Sequence, residues 1–185
     1  MRIAVYPGSF DPLHIGHLAI MEYLTTDCEF DWVYLIVSPQ SPLKGKDKIL
    51  SAQKRYQDAI AAVKRHPELH VWVDDIELNM EPPHYTIRTL DELKLREPEN
   101  DFTLVIGADN FHIFREWKDS DRILKEYGVV VFPREGFDSD KIKEKLMKES
   151  EDYKIEIIHT SLTTVSSTEI REDIRLGEDV TGLLM

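Results

Sequence analysis

The sequence is short of cysteine, of long apolar runs and of positive charge. A single cysteine, Cys28, excludes an intrachain disulfide. That suits a chain expected in a reducing cytoplasm. Apolar runs such as Val129 to Phe132 are far too short to span a bilayer, so no membrane segment is expected. No basic, then apolar, then small-residue pattern opens the chain, so no secretion signal is expected either. The formal net charge is −12, and basic residues are interleaved with acidic ones, as in Lys141 to Lys148. No positive stripe is left to track a nucleic-acid backbone, and nucleic acid is not an expected partner. Small anionic substrates stay compatible, because a local site can be positive on an acidic protein. Repeats, low-complexity tracts and interdomain linkers are also missing. The 185 residues therefore read as one domain, 1–185, large enough to bury a core.

What is there is a regular alternation of short apolar runs and helical patterns. Strands are predicted at Arg2 to Tyr6, Trp32 to Val37, Val71 to Val73, Phe102 to Ile106, Val129 to Phe132 and Ile155 to Ile158. Helices are predicted from about Ile15 to Leu24, from Ser51 (as N-cap) to Arg65, and at Tyr85 to Leu95. Further helices are predicted at Ser120 to Tyr127 with Gly128 as C-cap, at Asp138 to Ser150, and at Ser167 to Leu176. The strands are continuously apolar, as strands covered on both faces should be. The pattern predicts a single doubly wound, Rossmann-like α/β domain with a mostly parallel sheet. Ligands of such sheets bind beyond the carboxyl ends of the strands.

The first strand runs into Gly8-Ser9-Phe10-Asp11-Pro12-Leu13-His14-Ile15-Gly16-His17 and then a helix. Gly8 permits close backbone approach, and the helix start offers unpaired N–H groups to an anion. His14 and His17, three residues apart, fall on one face and have N–H groups to donate to phosphate oxygens. Gly16 keeps the surface between them open. A capped turn with two surface histidines, or a metal shared by the pair, are the other readings. No cysteine or third nearby histidine completes a metal site, so no protein metal site is expected. The Gly-Lys-Ser/Thr ending of a Walker loop is absent.

A second motif, Ser166-Ser167-Thr168-Glu169-Ile170-Arg171, opens the last helix. It serves as an ordinary helix cap, or as a second anion site in which hydroxyls, N–H groups and Arg171 hold phosphate oxygens.

Together, in this order and separation, the two segments resemble those of the HxGH nucleotidyltransferase superfamily. The resemblance implies that His14 and His17 stabilise the transition state at the α-phosphate of ATP. It implies that Ser166, Ser167, Thr168 and Arg171 hold the β- and γ-phosphates, with Gly8, Ser9, Phe10 and Gly16 forming the rest of the loop. The middle of the chain is similar to bacterial nicotinate-nucleotide adenylyltransferases. The matching segments are Ser41-Pro42-Leu43-Lys44, Tyr85-Thr86-Ile87-Arg88-Thr89-Leu90, Ile106-Gly107-Ala108-Asp109 with Trp117, and Arg134-Glu135-Gly136-Phe137. This implies ATP contacts at Gly107 and Asp109, the latter to ribose hydroxyls. It implies acceptor contacts at Lys44 (phosphate), Thr86 (pyridine carboxylate), Trp117 (pyridine ring) and Arg134 (phosphate). The chain departs from the family at Leu43, where histidine is frequent, and at Arg88, where aspartate is usual. The family's further apolar tail segment is not seen before Met185.

The implied reaction joins AMP from ATP to nicotinate mononucleotide, giving the deamido dinucleotide of NAD biosynthesis and pyrophosphate, with Mg²⁺ riding on the ATP phosphates. A nicotinamide-mononucleotide-preferring enzyme and a phosphopantetheine adenylyltransferase stay open as alternatives, as does a non-catalytic nucleotide-binding regulator. Cytidylyltransferases of glycerol phosphate or choline phosphate fit less well. The sequence leaves a homo-oligomer open.

Overall fold

The computed structural model describes residues 1–39, 47–160 and 167–185. Six strands form a parallel sheet flanked by helices: β1 (Arg2–Gly8), β2 (Trp32–Val37), β3 (Val71–Asp74), β4 (Asp101–Gly107), β5 (Val129–Phe132) and β6 (Ile155–Ile157). Their order across the sheet is β3-β2-β1-β4-β5-β6. The expected doubly wound α/β fold is therefore present. The helices are α1 (Ile15–Thr26), α2 (Asp47–Val63), α3 (Ile76–Asn79), α4 (Thr86–Arg96), α5 (Ala108–His112), α6 (Ser120–Arg122), α7 (Ser139–Glu149) and α8 (Ser167–Leu176). By compactness the chain divides into two units, Met1–Tyr6 with Pro83–Ser161, and Pro7–Pro82 with Leu162–Met185.

In the first unit, β1 pairs with β4, β4 with β5 and β5 with β6, all parallel. Every residue of β5 is buried, and so are Leu104, Val105 and Ile106 of β4. Helix α4 supplies Ile87, Leu90 and Leu93 to this core at helical spacing. The register sets Gly107 opposite Phe132 at the carboxyl ends of β4 and β5. The residues just beyond each end, including Asp109 and Arg134, are thereby brought side by side.

In the second unit, β2 and β3 pair in parallel, and Val33, Leu35, Ile36 and Val37 are buried. Helix α1 contributes Ile20, Met21 and Leu24, while α2 contributes Ala52, Ala59 and Ala62. The Ser38 N–H donates to the Gly8 carbonyl at 2.9 Å, fixing the end of β1 against the end of β2.

The structure departs from the expected elements in three places. Helix α2 begins at Asp47, so Ser51 lies exposed inside it and does not cap it. Nothing in Asp-Lys-Ile-Leu over 47–50 stops a helix, being free of glycine and proline. The short helices α3 and α5 were not expected, because four or five residues hold too little periodicity to be read. Helix α6 widens into a π-turn, Ile123–Tyr127, closed by the Gly128 N–H on the Ile123 carbonyl at 2.7 Å. Gly128 has φ +84°, and a Cβ there would stand 2.8 Å from the Lys154 side chain. The C-cap expectation for Gly128 therefore holds, for reasons of both conformation and space.

Leu104 is fully buried in β4, with a strand on either side. Leu104→Ala should lower unfolding free energy by about 2–5 kcal/mol in urea titrations. A loss below about 1 kcal/mol would contradict this placement of the core.

Candidate functional site

Helix α1 starts at a reciprocal cap made by two imidazoles. His14 is the N-cap residue, extended at φ −145°, ψ 171° and only 3% exposed. Its Nδ1 accepts the Gly16 N–H at 3.2 Å. The His14 N–H in turn donates to Nδ1 of His17 at 3.2 Å. This is a capping box with histidine at both ends, in positions usually held by Ser/Thr and Glu/Gln. The rings lie 3.7 Å apart, centroid to centroid, at 32°. A neutral imidazole whose Nδ1 accepts carries its proton on Nε2, so the cap fixes the tautomer of both rings. The three-residue spacing puts the pair on one face, whereas the reciprocal cap they form depends on backbone geometry that spacing does not encode.

The residues before the cap explain why this loop needs its glycine. Phe10 has φ +46° and is 4% exposed, with its ring edge-on to His17 at 5.2 Å. A left-handed phenylalanine is a strained residue, held here by burial of its ring. That ring folds back over Gly8, where an added Cβ would stand 2.8 Å from it. Gly8 thus serves the close approach of Phe10 as well as the end of β1.

The structure brings the early and late motifs together. Ser167 Oγ donates to the Pro12 carbonyl at 3.2 Å, and Arg171 Nη1 donates to the Asp11 carbonyl at 2.6 Å. The start of α8 therefore sits directly on the glycine loop. In this structure both groups bond to backbone carbonyls of that loop. Ser166 and Lys44, also expected at the site, lie outside the described residues, as does the side chain of Thr168.

Two further supports of the loop were missed. Arg55 of α2, 3% exposed, donates from Nη1 to the Ser9 carbonyl and from Nη2 to the Ser38 carbonyl, the latter at 3.0 Å. The chain's last residues also return to the histidine cap. His14 and Leu184 form an antiparallel bridge, the Met185 N–H donates to the Leu13 carbonyl at 3.4 Å, and Arg65 donates to the Met185 carbonyl. The signal for Arg55 was a cation in the apolar row of α2. For Leu184 there was none.

In the other unit the carboxyl ends of β4 and β5 bring together Gly107, Asp109 and Arg134. Arg134 Nε lies 3.9 Å from Asp109 Oδ1, with both side chains about half exposed. A Cβ at residue 107 would stand 2.5 Å from Asp109 Oδ1 and 3.3 Å from Arg134 Nε. Asp109 does not cap α5, whose N-cap is Gly107 without a side-chain bond. Exposure makes the ion pair weak, so each group keeps its hydrogen-bonding capacity at little cost. Burial raises the Tyr6 hydroxyl well above its ordinary pKa; Arg134 pulls it down and Asp109 adds to the rise. Thr86 is the first residue of α4, half-buried, behind an N-cap (Tyr85) with no side-chain bond. Trp117 is half-buried and its ring lies 5.2 Å from Phe114.

The cap at His14 and the catalytic role expected of it are separable by substitution. Asparagine is among the best N-cap residues, but its amide is too short to place an N–H where Nε2–H stands. His14→Asn should melt close to the wild type yet lose most turnover, while His14→Ala should lose turnover and about 1 kcal/mol of stability. Full turnover in the asparagine variant would mean that His14 is a cap and nothing more.

Residues 5–173 match the family model for cytidylyltransferase-like proteins. A relative from Bacteroides fragilis named "Probable nicotinate-nucleotide adenylyltransferase" is 36% identical over 97% of this chain and 85% of its own length. A Flavobacterium psychrophilum protein of the same name is 34% identical over 100% of this chain and 92% of its own length. A solved Plasmodium falciparum nicotinic acid mononucleotide adenylyltransferase, in complex with NaAD, superposes with a TM-score of 0.74. It covers 97% of this chain and 86% of that one, and at 18% identity the likeness shows the shared fold. The chain belongs to the cytidylyltransferase-like family and, within it, to the nicotinate-nucleotide adenylyltransferases.

Proposed function

We propose that this chain transfers the adenylyl group of ATP to nicotinate mononucleotide through the capped histidine pair. An oxygen of the acceptor's 5′-phosphate attacks the α-phosphorus. The bond from that phosphorus to the bridging oxygen breaks, and the electron pair leaves with pyrophosphate. The product is the deamido dinucleotide. The attacking phosphate is already ionised at neutral pH, so no general base is required, and the protein's task is positioning and charge stabilisation. The observation that carries this reading is that Nδ1 of both His14 and His17 accepts a backbone N–H at a helix start, which assigns the ring proton to Nε2. Two such donors and a positive helix end suit an α-phosphate that gains charge in the transition state.

On this reading Ser167 and Arg171 take the outer phosphates, exchanging the carbonyls of Pro12 and Asp11 for phosphate oxygens. Thr168 and Ser166 share that role. Gly8, Ser9, Phe10 and Gly16 shape the loop, and Asp109 beside Gly107 takes ribose hydroxyls. Trp117 stacks on the pyridine ring, Thr86 meets its carboxylate, and Lys44 and Arg134 take the acceptor phosphate. Among the described residues no group of three or more His, Cys, Asp or Glu is placed to hold a metal. Mg²⁺ would arrive on ATP, held by phosphates and water, where it would neutralise phosphate charge. No described helix is long and apolar enough to cross a membrane, and the expected compartment is the cytoplasm.

His17→Ala should lower turnover by about 10²–10³ in a folded protein, as loss of a transition-state donor does. The assay supplies ATP and Mg²⁺ with nicotinate mononucleotide, nicotinamide mononucleotide or phosphopantetheine in turn, and follows pyrophosphate. Fastest release with nicotinate mononucleotide is expected. Release only with phosphopantetheine would overturn the acceptor, and near-wild-type turnover in His17→Ala would overturn the role of the pair.

A further inference from the structure

Arg55 places a buried cation beneath the glycine loop. It lies in the row Ala52, Arg55, Ala59 and Ala62 along α2, all buried. Burying a guanidinium is unfavourable unless its donors are satisfied and its charge is answered. Here the partners are two backbone carbonyls, those of Ser9 and Ser38. The Nε–H is buried and finds no acceptor among the described residues. Burial pulls the Arg55 pKa down, and Asp11 acts from a distance to raise it. An arginine stays protonated in either case. The positive charge is thus fixed under the loop and only partly compensated.

The bond to Ser9 has a directional consequence. Among the described residues the only cis peptide bond is Asp11–Pro12, so the Ser9–Phe10 peptide is trans. In a planar trans peptide the C=O and N–H point opposite ways. With the Ser9 carbonyl drawn to Arg55, the Phe10 N–H is aimed away from α2. Phe10 itself holds φ +46°, and its ring bears on His17. Rotating this one peptide would therefore disturb a backbone donor, a strained residue and the ring of a histidine.

We propose that Arg55 is a positioning residue for adenylyl transfer: its grip on the Ser9 carbonyl fixes the Ser9–Phe10 peptide and the His17 ring, and its buried charge favours a polyanion over the loop. The inference rests on the reading that this loop receives the phosphates of ATP. The two components separate by substitution. Arg55→Lys keeps the charge but loses the fork that spans two carbonyls. Arg55→Met removes both. Arg55 bonds to loop carbonyls and not to substrate, so a purely structural arginine would change the melting temperature and leave the kinetics of folded protein unaltered.

The test is steady-state kinetics on the full chain with ATP, Mg²⁺ and nicotinate mononucleotide, at a temperature where circular dichroism shows each variant folded. Arg55→Lys should lower kcat by about tenfold to 10²-fold with KM for ATP within about threefold of wild type. Arg55→Met should lower kcat similarly and raise KM for ATP about tenfold as well. If Arg55→Met does not fold, Arg55→Lys decides alone. Turnover in Arg55→Lys within about twofold of an active wild type would overturn the inference and spare the transferase reading. A wild type that releases no pyrophosphate with any acceptor would remove both together.

Discussion

Helix α1 begins with backbone N–H groups that the helix itself leaves without carbonyl partners, and two of the N–H groups at this start are taken by imidazole nitrogens. An N-cap made this way joins stability to reactivity. Each ring spends its Nδ1 lone pair on the backbone and so must carry its proton on Nε2. A serine and glutamine box would hold the helix as well but would offer no such pair of donors. The surroundings follow from this constraint. Phe10 adopts a left-handed backbone to set its ring against His17, and Gly8 is glycine because that ring lies over it. Leu184 and Met185 pair with the backbone of the cap, and Ser167 and Arg171 hold the turn that precedes it.

An acidic protein that handles triphosphates must place its few positive features well. The net charge is −12. Several described cations are paired at the surface: Arg122 with Asp91 and Glu126, Arg115 with Asp121 and Glu149, Lys54 with Asp58. These pairs are exposed and contribute little stability each. Around the glycine loop the arrangement differs. Arg55 is buried on carbonyl dipoles, Arg171 bonds to a carbonyl, and the α1 terminus adds its own dipole.

Much of this was legible in the residues. Strand β2, strand β5 and helix α8 fall where hydrophobic pattern, proline and glycine set them, and the glycine loop and the opening of α8 were recognised as partners before either was placed. What escaped reading has physical causes. Helix α2 starts a turn early because Asp47 to Leu50 carry no stop signal. Helices α3 and α5 are too short for a period to show. Arg55 was readable in principle, as a lone cation in the row Ala52, Ala59, Ala62, yet what it bonds to depends on backbone direction in two loops. The His14–Leu184 bridge joins residues at opposite ends of the chain by main-chain pairing, which no side-chain pattern encodes. Arg134 was read as a contact to the acceptor phosphate; that the β4–β5 register also sets it beside Asp109 depends on strand pairing that no local pattern encodes.

Adenylyl transfer as proposed requires that both imidazoles hold their protons on Nε2 and donate them to the α-phosphate of ATP. Nitrogen-15 NMR of histidine-labelled protein reads the tautomer directly. Nε2–H is expected for His14 and His17 in the free protein, with the Nε2 signals of both, and not their Nδ1 signals, moving most when a non-reacting ATP analogue is added. An Nδ1–H tautomer at either residue, or rings whose Nε2 signals ignore the nucleotide, would contradict it.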